Sequence, residues 1–217
     1  TERLSARGSM NWLVGQTRPH LGASAALCKG SNQDVRSLMD ILAVLKEAVK
    51  TKTAGNWIRK MDMWSSLILI FSDVSWANAE DLSSIGGYLI FLASPDVLKP
   101  EGGRINLVEW RSAKVKRKCK STLTAETIAM EAALDAGLHV RTIVAEALYR
   151  DYVPSRSGQL HADLHRPVAV TDCKSLYDCL VKDGPQNSLS EKRLAVDIVG
   201  LQDVAATFDE ENPKETF

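Results

Sequence analysis

The chain has 217 residues, long enough for one large domain, or a domain plus a smaller piece, with a real core. Its 27 basic and 27 acidic side chains cancel, so no overall field draws in a polyanion, and any nucleic-acid affinity must come from a local patch. The four cysteines (Cys28, Cys119, Cys173 and Cys179) include no C-x-x-C pair, which argues against structural zinc, and four in a chain of this length argue against a disulfide framework. The chain therefore reads as reduced and intracellular. No signal peptide opens it, and no apolar run is long enough to span a bilayer.

In chain order, residues 1–30 are mixed and punctuated by glycines, with a short helix expected over 12–19 that Pro19 would stop. Val35, Leu38, Met39, Leu42, Leu45 and Val49 recur at three- and four-residue steps, which predicts a helix over 32–50. A polar joint, 50–60, follows. The period then changes: strands are expected at 67–77, 85–93 and 106–113, joined closely enough to form an antiparallel meander. A helix is expected over 122–149, with Ile128, Ala132, Ala136, Val140, Ile143 and Ala147 in one apolar row. After a loop (151–166) come a strand at 167–171 and a short helix at 175–182, with Ser175 as its cap. Ser188 and Glu191 have capping-box spacing before a last helix ending near 206. A single crossover through the long helix sets the fourth strand parallel to the first, giving the sheet order 3-2-1-4.

The chemistry resides in three acids. Asp73 ends the run LILIFSD and Asp172 ends PVAVTD, both apolar enough to be strands buried on two faces. Carboxylates at the carboxyl ends of such strands lie where α/β sheets bind ligands. Glu126 lies near the start of the long helix, in a row with Met130, Ala133 and Gly137 that would face the sheet. Carboxylates converging on one mouth suit magnesium, and a pair of such ions about 4 Å apart can hydrolyse a phosphodiester. Singly, each acid has a plainer explanation: a turn former or cap for the aspartates, a partner for the helix dipole for Glu126.

Several segments also resemble one family. FSDVSWANAEDLSSIGGYLIFL (71–92), NLVEWRSAK (106–114), STLTAETIAMEAA (121–133) and VTDCKSLYDCL (170–180) are similar to successive motifs of ribonuclease H domains in copia-type retrotransposon Pol polyproteins. LSARGSMNWLVGQTRPHLG (4–22) resembles the segment that ends the family's reverse transcriptase. The resemblance covers about residues 4–206 and implies a ribonuclease H-like α/β fold, antiparallel over its first three strands and parallel at the fourth, with flanking helices. It divides the chain into a helical reverse-transcriptase remnant (1–65), the ribonuclease H-like domain (66–209) and a tail (210–217). It implies cleavage of the RNA strand of an RNA–DNA hybrid with Mg2+, or Mn2+ in its place, by Asp73, Glu126 and Asp172. The remainder of the Pol polyprotein would be a partner, and no membrane is involved.

The sequence also departs from the family pattern. Ser75 and His20 replace two family aspartates, no Y-x-D-D polymerase centre is present, and neither a fifth strand nor an A-D-x-x-T-K segment is visible. Asp197, in EKRLAVDI (191–198), is a candidate for the missing fourth metal ligand or a solvated helix position. These departures imply the alternative: a catalytically inactive, truncated retroelement remnant retaining the fold as a nucleic-acid-binding or structural module. Arg111, Lys114, Lys116, Arg117, Lys118 and Lys120 form the densest basic cluster, which could hold hybrid phosphates in a salt-dependent way or be a solvated turn. Trp76 and Trp110 could stack on nucleic acid or pack at an edge. His161 and His165 flank Asp163 at a spacing that would suit zinc on a helix, but they lie in an expected loop.

Overall fold

The runs Leu67–Ser75, Ile85–Ala93, Ile105–Lys114 and Pro167–Val170 form strands β1 to β4 of one mixed sheet, ordered β3-β2-β1-β4. The structure is a computed structural model that describes residues 2–28, 35–79, 81–153, 166–182 and 191–206. Its helices are α1 (Glu2–Thr17), α2 (Gly22–Leu27), α3 (Val35–Lys50), α4 (Thr122–Leu148), α5 (Lys174–Leu180) and α6 (Lys192–Ala206). β1 pairs antiparallel with β2 and β2 with β3, as short connections require, while the passage through α4 returns β4 parallel to β1. The fold is thus α/β, an open four-stranded sheet with flanking helices. Among the described residues no helix is long and apolar enough to cross a membrane.

The main core forms where α4 lies on β1. Ile68, Ile70, Ile90 and Leu92 from the sheet meet Met130, Ala133, Leu134, Val140 and Val144 from α4, and Leu176, Leu194 and Ile198 close the far side. The buried row of α4 is the one containing Glu126, Met130, Ala133 and Gly137; Ala132, Ile143 and Ala147, from the apolar row read in the sequence, are exposed. Both rows are apolar, and the sheet takes the one whose small residues permit close approach. A Cβ on Gly137 would lie 2.4 Å from the Cδ1 of Ile70, so only glycine lets the helix approach β1 this closely. The glycine thereby brings Glu126, three turns earlier, down toward the end of β1.

The N-terminal helices form a second core of Met10, Val14, Leu21, Ala25, Ile41, Val44 and Ala48. α1 spans far more than the short helix expected around Trp12. In α3 the buried positions are Ile41, Val44 and Ala48, whereas Val35, Met39, Leu42 and Val49 are exposed. The helix is apolar on two sides, so spacing alone does not select the buried one. This layer packs on the sheet through α2: Gly22 sits against Ser112, and the Trp110 indole N–H donates to the Val14 carbonyl at 2.9 Å. The joint is tied down by Asn106, buried in β3, which accepts from the Arg59 amide at 2.7 Å and donates to the Arg59 carbonyl at 2.8 Å. Ser188 of the expected capping box and the His161–His165 pair lie outside the described residues, as does the expected tail. Ser175 does not cap the short helix; Cys173 occupies that position, and its amide donates to Thr171 Oγ1 at 3.1 Å.

Candidate metal centre

The register of the parallel pair explains how two aspartates so far apart in sequence meet. Phe71 on β1 sits beside Val170 on β4. Two residues further along each strand are Asp73 and Asp172, just past the last paired positions of β4. On its other side Asp73 is registered with Gly87 of β2. Its own Oδ1 accepts from the Val74 amide at 2.7 Å, which restrains the carboxylate.

Glu126 arrives from α4. The start of that helix is set by Ser121, whose Oγ accepts from the Thr124 amide at 3.2 Å and bonds Thr124 Oγ1 at 2.9 Å. Such a cap satisfies amides that the first turn leaves open. Thr124 Oγ1 in turn donates to Glu191 Oε2 at 3.1 Å, linking the beginnings of α4 and α6. With its start capped and its middle seated by Gly137, α4 buries Glu126 to 4% exposure.

Asp73, Glu126 and Asp172 each offer a carboxylate oxygen within 4.8 Å of the others. Oxygens sharing one hard cation at about 2.1–2.5 Å lie no more than about 5 Å apart, so the spacing fits a common ion. The electrostatics point the same way. Burial, then Asp73, then Asp172 push the Glu126 carboxyl up to about 7, because nothing nearby offsets its charge. Its Oε2 is buried and has no hydrogen-bond partner. A buried acceptor in that state is costly, and a divalent cation among three carboxylates would relieve both penalties. Asp73 and Asp172 are exposed at the mouth, while Glu126 forms its buried floor.

The structure places the fourth candidate, Asp197, elsewhere. Its carboxylate pairs with Arg117 at 2.8 Å and lies near Glu131, so it is committed to an ion pair one face away from the three acids. Half of the expected basic patch is similarly committed. Lys114 bridges Asp81 at 3.1 Å, Lys118 donates to the Asp81 carbonyl, and Arg117 holds Asp197. Hydrogen bonding from Ser83 and Lys114 holds the Asp81 carboxyl down at about 2. Lys116 and Lys120 remain exposed and make no ion pair among the described residues. The loop carrying them is tied to the end of β1 by Trp76, whose indole N–H donates to the Cys119 carbonyl at 3.2 Å.

Sequence reasoning placed Gly137 on the sheet-facing row but missed Asp81 and the Ser121–Thr124–Glu191 chain. Ser121 was legible, as a serine three residues before Thr124 at a helix start; nothing in the sequence pairs Asp81 with a lysine 33 residues away. Comparison with known protein families, with curated proteins and with solved structures returns no match.

Proposed function

We propose that this chain is a ribonuclease H-like, metal-dependent phosphodiesterase of copia-type retrotransposon origin, acting on the RNA strand of RNA–DNA hybrids. The observation that carries the reading is the convergence of Asp73, Glu126 and Asp172 from β1, α4 and the end of β4, with the buried Glu126 oxygen lacking any protein partner. The sheet order and the single parallel pair are those the family resemblance implies.

The three carboxylates would hold Mg2+, with Mn2+ as a substitute. When bound, such an ion supplies a water of lowered pKa and offsets charge on the phosphate. The chain's own contribution is positional. Asp73 and Asp172 face solvent at the mouth, where an incoming phosphodiester can reach them, while Glu126 forms the buried floor. Lys116 and Lys120, exposed on the loop that Trp76 anchors beside β1, would hold backbone phosphates without reading sequence. Discrimination of RNA from DNA would rest on the 2′-hydroxyl.

The test is cleavage of an end-labelled hybrid by the full chain with Mg2+ or Mn2+, and its loss in Asp73→Asn and with chelator. A second reading, a non-catalytic remnant that binds nucleic acid, is favoured by one observation: Asp197 is not among the converging acids, which leaves three among the described residues. Hybrid binding without cleavage by the folded chain, in either metal, would decide for that reading and against hydrolysis.

A further inference from the structure

Beside the acid site, and distinct from it, a cavity of about 370 Å3 opens between the β2–β3 surface, the outer side of α4 and the start of α6. Its floor is largely apolar and built mostly of small residues, with Tyr88 and Ile128 the larger side chains in the lining. Gly86, Gly87 and Ala113 come from the sheet, with Val115 beyond it, and Ala129 and Ala132 come from α4. A Cβ on Gly86 would sit 3.3 Å from Val115 Cγ2 and 3.5 Å from Ala129 Cβ, so a side chain there would crowd the floor; Gly87, the next residue of the strand, contributes backbone only.

The rim has the opposite character. Five cationic side chains border the cavity against two carboxylates, in a chain whose net charge is zero. Lys114 and Arg117 are engaged with Asp81 and Asp197. Arg111, Lys116 and Arg193 are exposed and lack a salt bridge among the described residues, although Arg111 hydrogen-bonds the Tyr88 hydroxyl and Arg193 interacts with the Glu131 carboxylate. Arg111 and Arg193 come from β3 and α6, so they approach the cavity from different elements. The planar guanidinium fork favours anions that it can hold through two oxygens, such as phosphate and carboxylate.

We propose that this cavity binds a small aromatic anion, its ring on the glycine–alanine floor and its phosphate or carboxylate between Arg111 and Arg193. The volume lies within the range of small-ligand sites, about 300–1,000 Å3. An apolar floor with no cations would take a neutral ring, and cations with no floor would take free phosphate; the pairing of the two selects a ligand that carries both. The three acids contribute nothing to this cavity, so the proposal does not depend on the nuclease reading.

Adenosine 5′-monophosphate is a suitable probe, titrated into the full chain in chelator and followed by NMR shift changes. Adenosine and inorganic phosphate, each supplying one half of the ligand, serve as controls. The nucleotide is expected to bind at least about tenfold more tightly than either control, the difference that one or two charge-assisted hydrogen bonds supply. Arg111→Ala with Arg193→Ala should weaken the nucleotide by about tenfold or more and leave adenosine unchanged. Ala132→Trp, on an exposed helix position, should fill the floor and weaken both ring-bearing ligands. Asp73→Asn should change nothing here, although it removes a carboxylate from the acid site. Nucleotide binding that is no tighter than that of phosphate, that survives Ala132→Trp in a variant with an unchanged melting curve, or that requires Asp73 and a metal would overturn the proposal.

Discussion

Glu126→Gln separates the energetic cost of the acid cluster from its use. Burial and the two aspartates raise the Glu126 carboxyl from 4.5 to about 7 in the folded chain. A carboxyl raised on folding binds its proton more tightly in the native state. Its contribution to stability is therefore fully present below the unfolded value and is lost as pH rises through the folded one. At 1.36 kcal/mol per pH unit, ionising Glu126 costs the metal-free protein about 3 kcal/mol at pH 8 and only about 1 kcal/mol at pH 5. Glutamine keeps the shape without the charge. In chelator, Glu126→Gln is expected to be more stable than the parent at pH 8 by up to about 3 kcal/mol, or roughly 6–12 °C in Tm for a chain of this size. The advantage should shrink toward pH 5. Millimolar Mg2+ should reverse the order at pH 8 by stabilising the parent and not the variant. Urea and thermal melts at both pH values, with and without Mg2+, measure all of this. A variant less stable than the parent in chelator at pH 8, with a gap that does not change with pH, would refute the account of Glu126 as a desolvated, repelled carboxylate.

Gly137→Ala should cost about 1–3 kcal/mol, because its Cβ would overlap Ile70 and the helix must move. Since that movement lifts Glu126 from the end of β1, the Mg2+-induced rise in Tm should shrink as well; a stability loss with full metal response would separate packing from the site. Asn106→Ala removes both bonds to the Arg59 main chain from a buried position and should lower stability by about 2 kcal/mol. An unchanged urea midpoint would show that the joint before β1 is solvated rather than pinned.

Much of this protein was determined by sequence alone. The four strands and their order followed from apolar runs, short connections and one long crossover, because these are local patterns and a chirality rule. The positions of Asp73, Glu126 and Asp172 were legible for the same reason: a strand end and a helix row are periodic features. Periodicity failed where a helix is apolar on two sides. In α3 the spacing picked a row that is largely exposed, and only contact with α1 selected the buried one, whereas the sheet-facing row of α4 that holds Glu126 was legible beside its second apolar row. Charge pairing was equally hidden. Asp197 reads as a possible ligand until the fold sets Arg117 beside it, and Lys114 and Lys118 read as free cations until Asp81 draws them in. Which acids meet is a question of register and close approach. β1 and β4 must align so that residues 73 and 172 fall side by side, and Gly137 must let α4 descend onto Ile70. Those are distances between segments remote in the chain, and only the tertiary structure sets them.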